Sequence, residues 1–220
     1  MSQAPLLSGP SAAPAAGGKA RELVILLHGV GADGNDLIGL APYWAEQLPH
    51  AAFVSPNAPF RYDMAPFGYQ WFSLADRNPE ALYAGVCRAA PLLDAFIDAE
   101  LARWGLTDDR LALVGFSQGT MAALHVGLRR GAPCAAIVGF SGALLGASAL
   151  LAEIRCRPPV LLVHGDEDPV VPVTAMPHAV AALSAAGVEV ESHVRPGLGH
   201  GIDPVGLRLG GEFLARAFAP

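Results

Sequence analysis

Leu111-Ala112-Leu113-Val114-Gly115-Phe116-Ser117-Gln118-Gly119-Thr120-Met121-Ala122-Ala123-Leu124-His125-Val126 is the stretch that decides the fold. Its first four residues are an unbroken apolar run, as a strand covered on both faces requires. The run from 120 to 130 has helical spacing and closes on Arg129, Arg130 and Gly131, a charge and breaker pattern suited to a helix end. Between the two lies Gly115-Phe116-Ser117-Gln118-Gly119, a strand-to-helix turn of Gly-x-Ser-x-Gly form. A serine in so sharp a turn is driven toward strained backbone angles, and flanking glycines leave the room a side chain would fill. The hydroxyl then projects above the sheet, at a helix N-terminus whose dipole favours developing negative charge. This context makes Ser117 a candidate nucleophile, against the plainer reading of a tight turn.

Working outward, the chain alternates strand and helix from residue 21 onward. Strands are expected at 23–27, 52–54, 111–114, 135–140, 160–163 and 188–194, and helices at 36–47, 81–104, 120–130, 174–186 and 206–218, with Pro91 marking a late start or a kink. A long loop rich in proline and aromatic residues fills 55–79. Repeated strand-helix pairs with continuous apolar strands predict one α/β domain over 21–220, a mostly parallel sheet with helices on both faces and no large lid domain.

Composition excludes several functions. The net charge of −6 and the scatter of the fourteen Lys and Arg argue against a nucleic-acid partner. No run reaches the roughly 18 apolar residues of a membrane span. Residues 1–20, rich in Ala, Pro, Gly and Ser, read as a flexible leader without the early positive charge of a signal peptide. Cys87, Cys134 and Cys156 are odd in number and widely spaced, which suits reduced thiols in the cytoplasm and neither a disulfide framework nor a metal site.

In parallel sheets, functional side chains gather on loops at the carboxyl ends of the strands. If Ser117 is a nucleophile, later strand ends should supply an acid and then a histidine. After 160–163 comes His164-Gly165-Asp166-Glu167-Asp168-Pro169-Val170-Val171-Pro172, and after 188–194 comes Arg195-Pro196-Gly197-Leu198-Gly199-His200-Gly201. Asp166, Glu167 and Asp168 compete as the acid. Asp168, deepest in the loop and just before Pro169, is preferred, with Asp166 as a turn-former. His200, between two glycines, is the expected base. His28, His125, His164 and His193 read as structural histidines.

A serine nucleophile also needs donors for the oxyanion. The Gln118 amide follows the nucleophile, and the Val30 amide lies in the glycine-rich loop after the first apolar strand. Met64, Trp71, Phe72 and Val170 are candidates to line an acyl pocket, with ordinary loop packing as the alternative for the aromatic ones.

Leu27-His28-Gly29-Val30-Gly31, the 115–119 elbow, His164 through Pro172, the Gly199-His200 pair and Trp71-Phe72 together resemble the α/β-hydrolase family of phospholipases, small carboxylesterases and acyl-protein thioesterases. The resemblance implies a triad of Ser117, Asp168 and His200 and an oxyanion hole at Val30 and Gln118. The family often has Leu where Val30 stands, which leaves the backbone donor intact. It further implies ester hydrolysis without cofactor or metal, a small-molecule ester as partner, and a possible homodimer, while the absence of a large lid domain leaves an open site that favours short- to medium-chain esters. An acyl-protein thioesterase or lysophospholipase with the same triad is the alternative, and a non-catalytic binding protein of the same fold a more distant one.

Overall fold

In this computed structural model, which describes residues 7–219, the chain begins with β1 (Ser11–Ala12), β2 (Glu22–Leu27), α1 (Gly34–Ile38), α2 (Ala41–Trp44) and β3 (Ala51–Val54). It continues through β4 (Phe60–Arg61), β5 (Tyr69–Gln70), α3 (Pro79–Trp104), β6 (Leu111–Phe116), α4 (Gln118–Gly127) and β7 (Ala136–Phe140). The last elements are α5 (Ala147–Glu153), β8 (Val160–Gly165), α6 (Ala175–Ala185), β9 (Val190–Arg195) and α7 (Pro204–Phe218). A seven-stranded sheet of order β1-β3-β2-β6-β7-β8-β9 forms the centre, parallel throughout except for β1.

The unbroken apolar strands are explained by two dry faces. Leu23, Ile25 and Leu27 point to one side, into a core shared with Leu93 and Ile97 of α3, Ala123 of α4 and Leu183 of α6. Val24 and Leu26 point to the other, into a core with Leu37, Trp44, Phe213 and Leu214. Period-two alternation thus gives each strand residue its own layer of helices, the expected arrangement of a mostly parallel sheet with helices on both faces. Every loop that concerns function leaves the same end of this sheet: 28–33 after β2, Ser117 after β6, Asp168 after β8 and His200 after β9.

Several expectations need correction. The expected helix at 36–47 is two short helices, separated at Gly39 and Leu40. The 55–79 loop contains a two-stranded antiparallel hairpin, Phe60 opposite Gln70 and Arg61 opposite Tyr69. Helix α3 runs through Pro91 without ending, and α5 lies where no element was expected. Arg129 and Arg130 stand beyond the end of α4. Arg129 donates to the His125 carbonyl at 3.0 Å, close to the expected role, but buried Arg130 is an ion-pair hub bonded to Asp94, Asp98 and Asp108 at 2.5, 2.8 and 2.5 Å.

The first six residues of the expected leader lie outside the described residues. Its later part is built into the fold: Ser11 and Ala12 pair antiparallel with Val54 and Phe53. The Ser55 and Asn57 amides donate to the carbonyls of Pro10 and Ser8 at 3.0 and 2.9 Å. A polar, proline-rich stretch can be ordered when a sheet edge offers it backbone partners. Among the described residues, no helix is long and apolar enough to cross a membrane.

Candidate active site

The turn between β6 and α4 sets the geometry. Ser117 has φ 55° and ψ −116°, a conformation L side chains rarely adopt. Its amide donates to the Phe140 carbonyl at 2.8 Å, and its carbonyl accepts from Thr120 at 3.0 Å, so both neighbouring strand and following helix hold the strained residue. The two elbow glycines are needed for packing as well as for conformation. A Cβ on Gly115 would lie 2.3 Å from the Thr120 nitrogen, and one on Gly119 would lie 1.8 Å from the Leu27 carbonyl oxygen.

Asp168 and His200 converge from β8 and β9. The His200 Nδ1–H donates to Asp168 Oδ2 at 2.7 Å, while the Val170 and Val171 amides donate to Oδ1 at 2.8 and 2.9 Å. Burial pushes the Asp168 carboxyl up, but these three donors outweigh it and leave the group below the ordinary carboxylate value. It is therefore ionised at neutral pH and fixes which imidazole nitrogen carries the proton, leaving Nε2 free to accept one. The Phe116 ring packs on His200 with centroids 4.8 Å apart, placing the imidazole beside the elbow. Asp166 accepts from the Gly197 amide at 2.7 Å, the turn-forming role expected for it, and Glu167 is exposed.

The oxyanion candidates also lie together. A Cβ on Gly29 would meet the Ser117 Cβ at 3.5 Å, so the 28–31 loop is in contact with the elbow. Among the described residues, neither the Val30 nor the Gln118 amide donates to a protein acceptor. For Gln118, first residue of α4, that is the ordinary state of an N-terminal helix amide. The Gln118 side chain works in the opposite direction. Its Oε1 accepts from the Trp71 amide at 2.8 Å and its Nε2 donates to the Phe72 carbonyl at 2.7 Å.

The four pocket candidates divide in two. Trp71 and Phe72 are 0 % and 1 % exposed, so they are packing residues rather than walls open to a ligand. The Trp71 indole donates to the His28 carbonyl at 2.9 Å, and Phe72 lies against Gly85 of α3. Met64 and Val170 are 61 % and 58 % exposed and remain available. The hairpin bearing Met64 is tied to the oxyanion loop, because the Gly31 amide donates to the Tyr69 carbonyl and the Tyr69 amide to the Ala32 carbonyl, both at 2.8 Å.

Three supporting residues carried no functional signal in the sequence. His164 Nε2–H donates to the Val171 carbonyl at 2.8 Å and lies 3.3 Å from Asp168 Oδ2, bracing the acid loop from below. His28 is held neutral by burial, and its bare Nε2 accepts from the Ala58 amide at 3.0 Å. Ser141, at φ 47° and buried, donates to the Gly201 carbonyl at 3.4 Å, next to His200. Unlike Ser117, Ser141 has no motif around it to signal its positive φ. Among the described residues, no group of three or more His, Cys, Asp or Glu side chains is placed to hold a metal.

Comparison with known proteins gives a consistent result. Residues 11–217 match the phospholipase/carboxylesterase family. The chain is 37 % identical over 158 residues to acyl-protein thioesterase 1 of Schizosaccharomyces pombe, covering 68 % of this chain and 69 % of that protein. It is 28 % identical over 184 residues to the esterase YpfH of Escherichia coli, with 84 % and 78 % covered. Among solved structures, esterase PE8 superposes with a TM-score of 0.92 at 44 % identity, covering 96 % of this chain and 99 % of that one.

Proposed function

The chain belongs to the phospholipase/carboxylesterase family of α/β-hydrolases and is a hydrolase with esterase or thioesterase activity; from that premise we propose a serine carboxylesterase working through a Ser117 acyl-enzyme. The observation that carries the reading is the 2.7 Å bond between His200 and an Asp168 carboxylate whose other oxygen is held by two amides, beside a strained Ser117.

In the first half-reaction His200 Nε2 takes the Ser117 proton as Oγ attacks the acyl carbonyl. Asp168 stabilises the resulting imidazolium and keeps its orientation. The amides of Val30 and Gln118 receive the negative charge on the carbonyl oxygen, each contributing about 2.7–4 kcal/mol to transition-state stabilisation. Water, activated by the same imidazole, then cleaves the acyl-enzyme. Ser117 Oγ makes no hydrogen bond to His200 among the described residues, and such bonds often tighten only with substrate bound.

The substrates we propose are short- to medium-chain esters. The support is the small hairpin, with Met64 and Val170 as the exposed apolar contacts, where a deep acyl chain would need an enclosing lid. The three free cysteines, two of them buried, suit a reducing compartment such as the cytoplasm. A thioesterase with the same triad is the second reading, favoured by the likeness to the yeast enzyme.

Fluorophosphonate labelling of wild type and Ser117→Ala, followed by oxygen and thioester substrates matched in acyl group, tests both readings. Labelling confined to wild type with faster oxygen-ester turnover supports the carboxylesterase. Faster thioester turnover supports the second reading, and failure of wild type to label contradicts both.

A further inference from the structure

Two cavities form one trough that starts beside the candidate base and runs away from the hairpin. The nearer, of about 250 Å³, is lined by Phe116 and Ile202 together with Asp36, Leu37 and Leu40. The farther, of about 490 Å³, lies between α2 and the start of α7, with Tyr43, Trp44, Leu207 and Arg208 in its lining. Leu40 and Ile202 line both, so the two adjoin at these side chains. The floor is fixed: buried Trp44 donates from its indole to the Leu207 carbonyl at 2.9 Å, and its ring packs against Gly211 of α7. Tyr43, 70 % exposed, forms the outer wall.

We propose that this trough is the subsite for the leaving group, and that it selects esters whose alcohol carries an elongated apolar segment. The inference rests on the esterase reading above. When the first tetrahedral intermediate collapses, the Ser117 Oγ–acyl bond is kept and the bond from the carbonyl carbon to the leaving oxygen breaks. The electron pair goes to that oxygen, which takes the proton His200 received from Ser117. The leaving oxygen must therefore lie against His200 Nε2. The trough opens at Phe116, whose ring packs on His200, and at Ile202, two residues beyond it. The hairpin occupies a different quarter, tied to the oxyanion loop through Gly31, Ala32 and Tyr69. An acyl chain facing Met64 and an alcohol chain facing Leu40 would thus leave the reacting carbon in separate directions. Two of the polar groups along the trough are engaged, Asp203 with Arg195 and the Gly206 amide and Arg208 with Glu212, while the exposed Asp36 and Gln47 stand at its edge. What remains to meet a ligand is mainly aliphatic and aromatic surface, suited to an alkyl or arylalkyl alcohol.

The test uses two ester series. Acetates of ethanol, butanol and octanol vary the alcohol, while ethyl acetate, butanoate and octanoate vary the acyl group. Wild type should gain about tenfold or more in kcat/KM from ethyl to octyl acetate, since each buried methylene contributes up to about fourfold. Leu40→Trp, filling the junction, should cut that gain to within about twofold and leave the acyl series unchanged. Tyr43→Ala, at an exposed position, should lower octyl acetate alone and guards against a folding defect in the first variant. A flat alcohol series on active wild type would overturn the proposal, as would loss of the acyl series in place of the alcohol series. An octyl acetate rate unaffected by Tyr43→Ala, in a background where Leu40→Trp slows every ester, would overturn it too. Wild type that hydrolyses none of these esters would overturn the esterase reading itself.

Discussion

At each end of helix α4 a serine or cysteine lies near a histidine, and the two pairs differ in one partner. At its start Ser117 is flanked by His200, whose second nitrogen is bound to Asp168 at 2.7 Å. Near its end His125 Nε2 lies 3.9 Å from the Cys87 thiol of α3, in a cavity of about 420 Å³. There Nδ1 is buried with no hydrogen-bond partner. The nearby carboxylate is engaged elsewhere: Glu153 accepts from the Tyr83 hydroxyl at 2.6 Å and from Arg129 at 2.7 Å. Burial, and then the Arg129 charge, depress the His125 pKa to about 4. An imidazole so placed is a poor base at neutral pH, and no carboxylate bonds to it directly once it is protonated. The helix dipole widens the contrast, because its positive end faces Ser117 and its negative end the His125 pair. On the proposed reading, what separates the two pairs is the ionised acid on the far nitrogen of His200, which His125 lacks.

The largest effect expected from this contrast is at Ser117. Ser117→Ala should lower kcat for a p-nitrophenyl ester by about 10⁴-fold or more, whereas Cys87→Ala should stay within about twofold of wild type. Equal losses at the two ends would break the comparison. Next, Asp168→Asn should reduce kcat by about 10³- to 10⁴-fold with little change in KM, because the imidazole loses its fixed tautomer. Steady-state kinetics on that variant shows whether the acid or only the serine matters.

Gln118→Ala sharpens a different part of the site. It keeps the backbone donor but frees the Trp71 and Phe72 backbone from two buried hydrogen bonds, so stability should fall by about 2–4 kcal/mol in denaturant unfolding. The smallest effect concerns pH. The folded pKa of His125, about 4, lies below its ordinary value of 6.5. On acidification the unfolded chain therefore takes up a proton that the folded chain refuses. Stability from this source is full above about pH 6.5 and declines toward pH 4, by about 3 kcal/mol in total. His125→Leu should flatten that decline in unfolding curves measured at pH 7.5 and 4.5, and an unchanged acid limb would contradict it.

The contrast between the two ends of α4 also shows what the sequence could disclose. The placement of Ser117, Asp168 and His200 at one edge was legible because each follows a strand, and a parallel sheet brings strand ends to one edge. Asp168 was separable from Asp166 by its position before Pro169, and the structure gives the two carboxylates distinct partners. Trp71 and Phe72 could not be assigned to pocket wall or packing from sequence, because an aromatic loop residue has the same appearance whether it faces a ligand or, as here, packs beneath the loop. The Arg130 hub joins residues from two other elements, Asp94 and Asp98 on α3 and Asp108 before β6, which no local pattern connects. Strand β1 was hidden for a related reason: two residues on a sheet edge are specified by β3, not by their own propensity. Ser141, which braces the loop of His200, likewise acts through a long-range contact, whereas His164 braces Asp168 from only four residues away without any motif that marks it.

The central claim is that Ser117 carries the acyl group with His200 and Asp168 behind it. Rapid mixing of the wild-type enzyme with p-nitrophenyl acetate, quenched in acid and read by intact mass and peptide mapping, tests it most directly. A single acetyl adduct on the peptide containing Ser117, formed in a burst that Asp168→Asn slows about 10³-fold or more, is the predicted result. Turnover without any adduct on Ser117, or an adduct on Cys87 that accounts for turnover, would contradict the account.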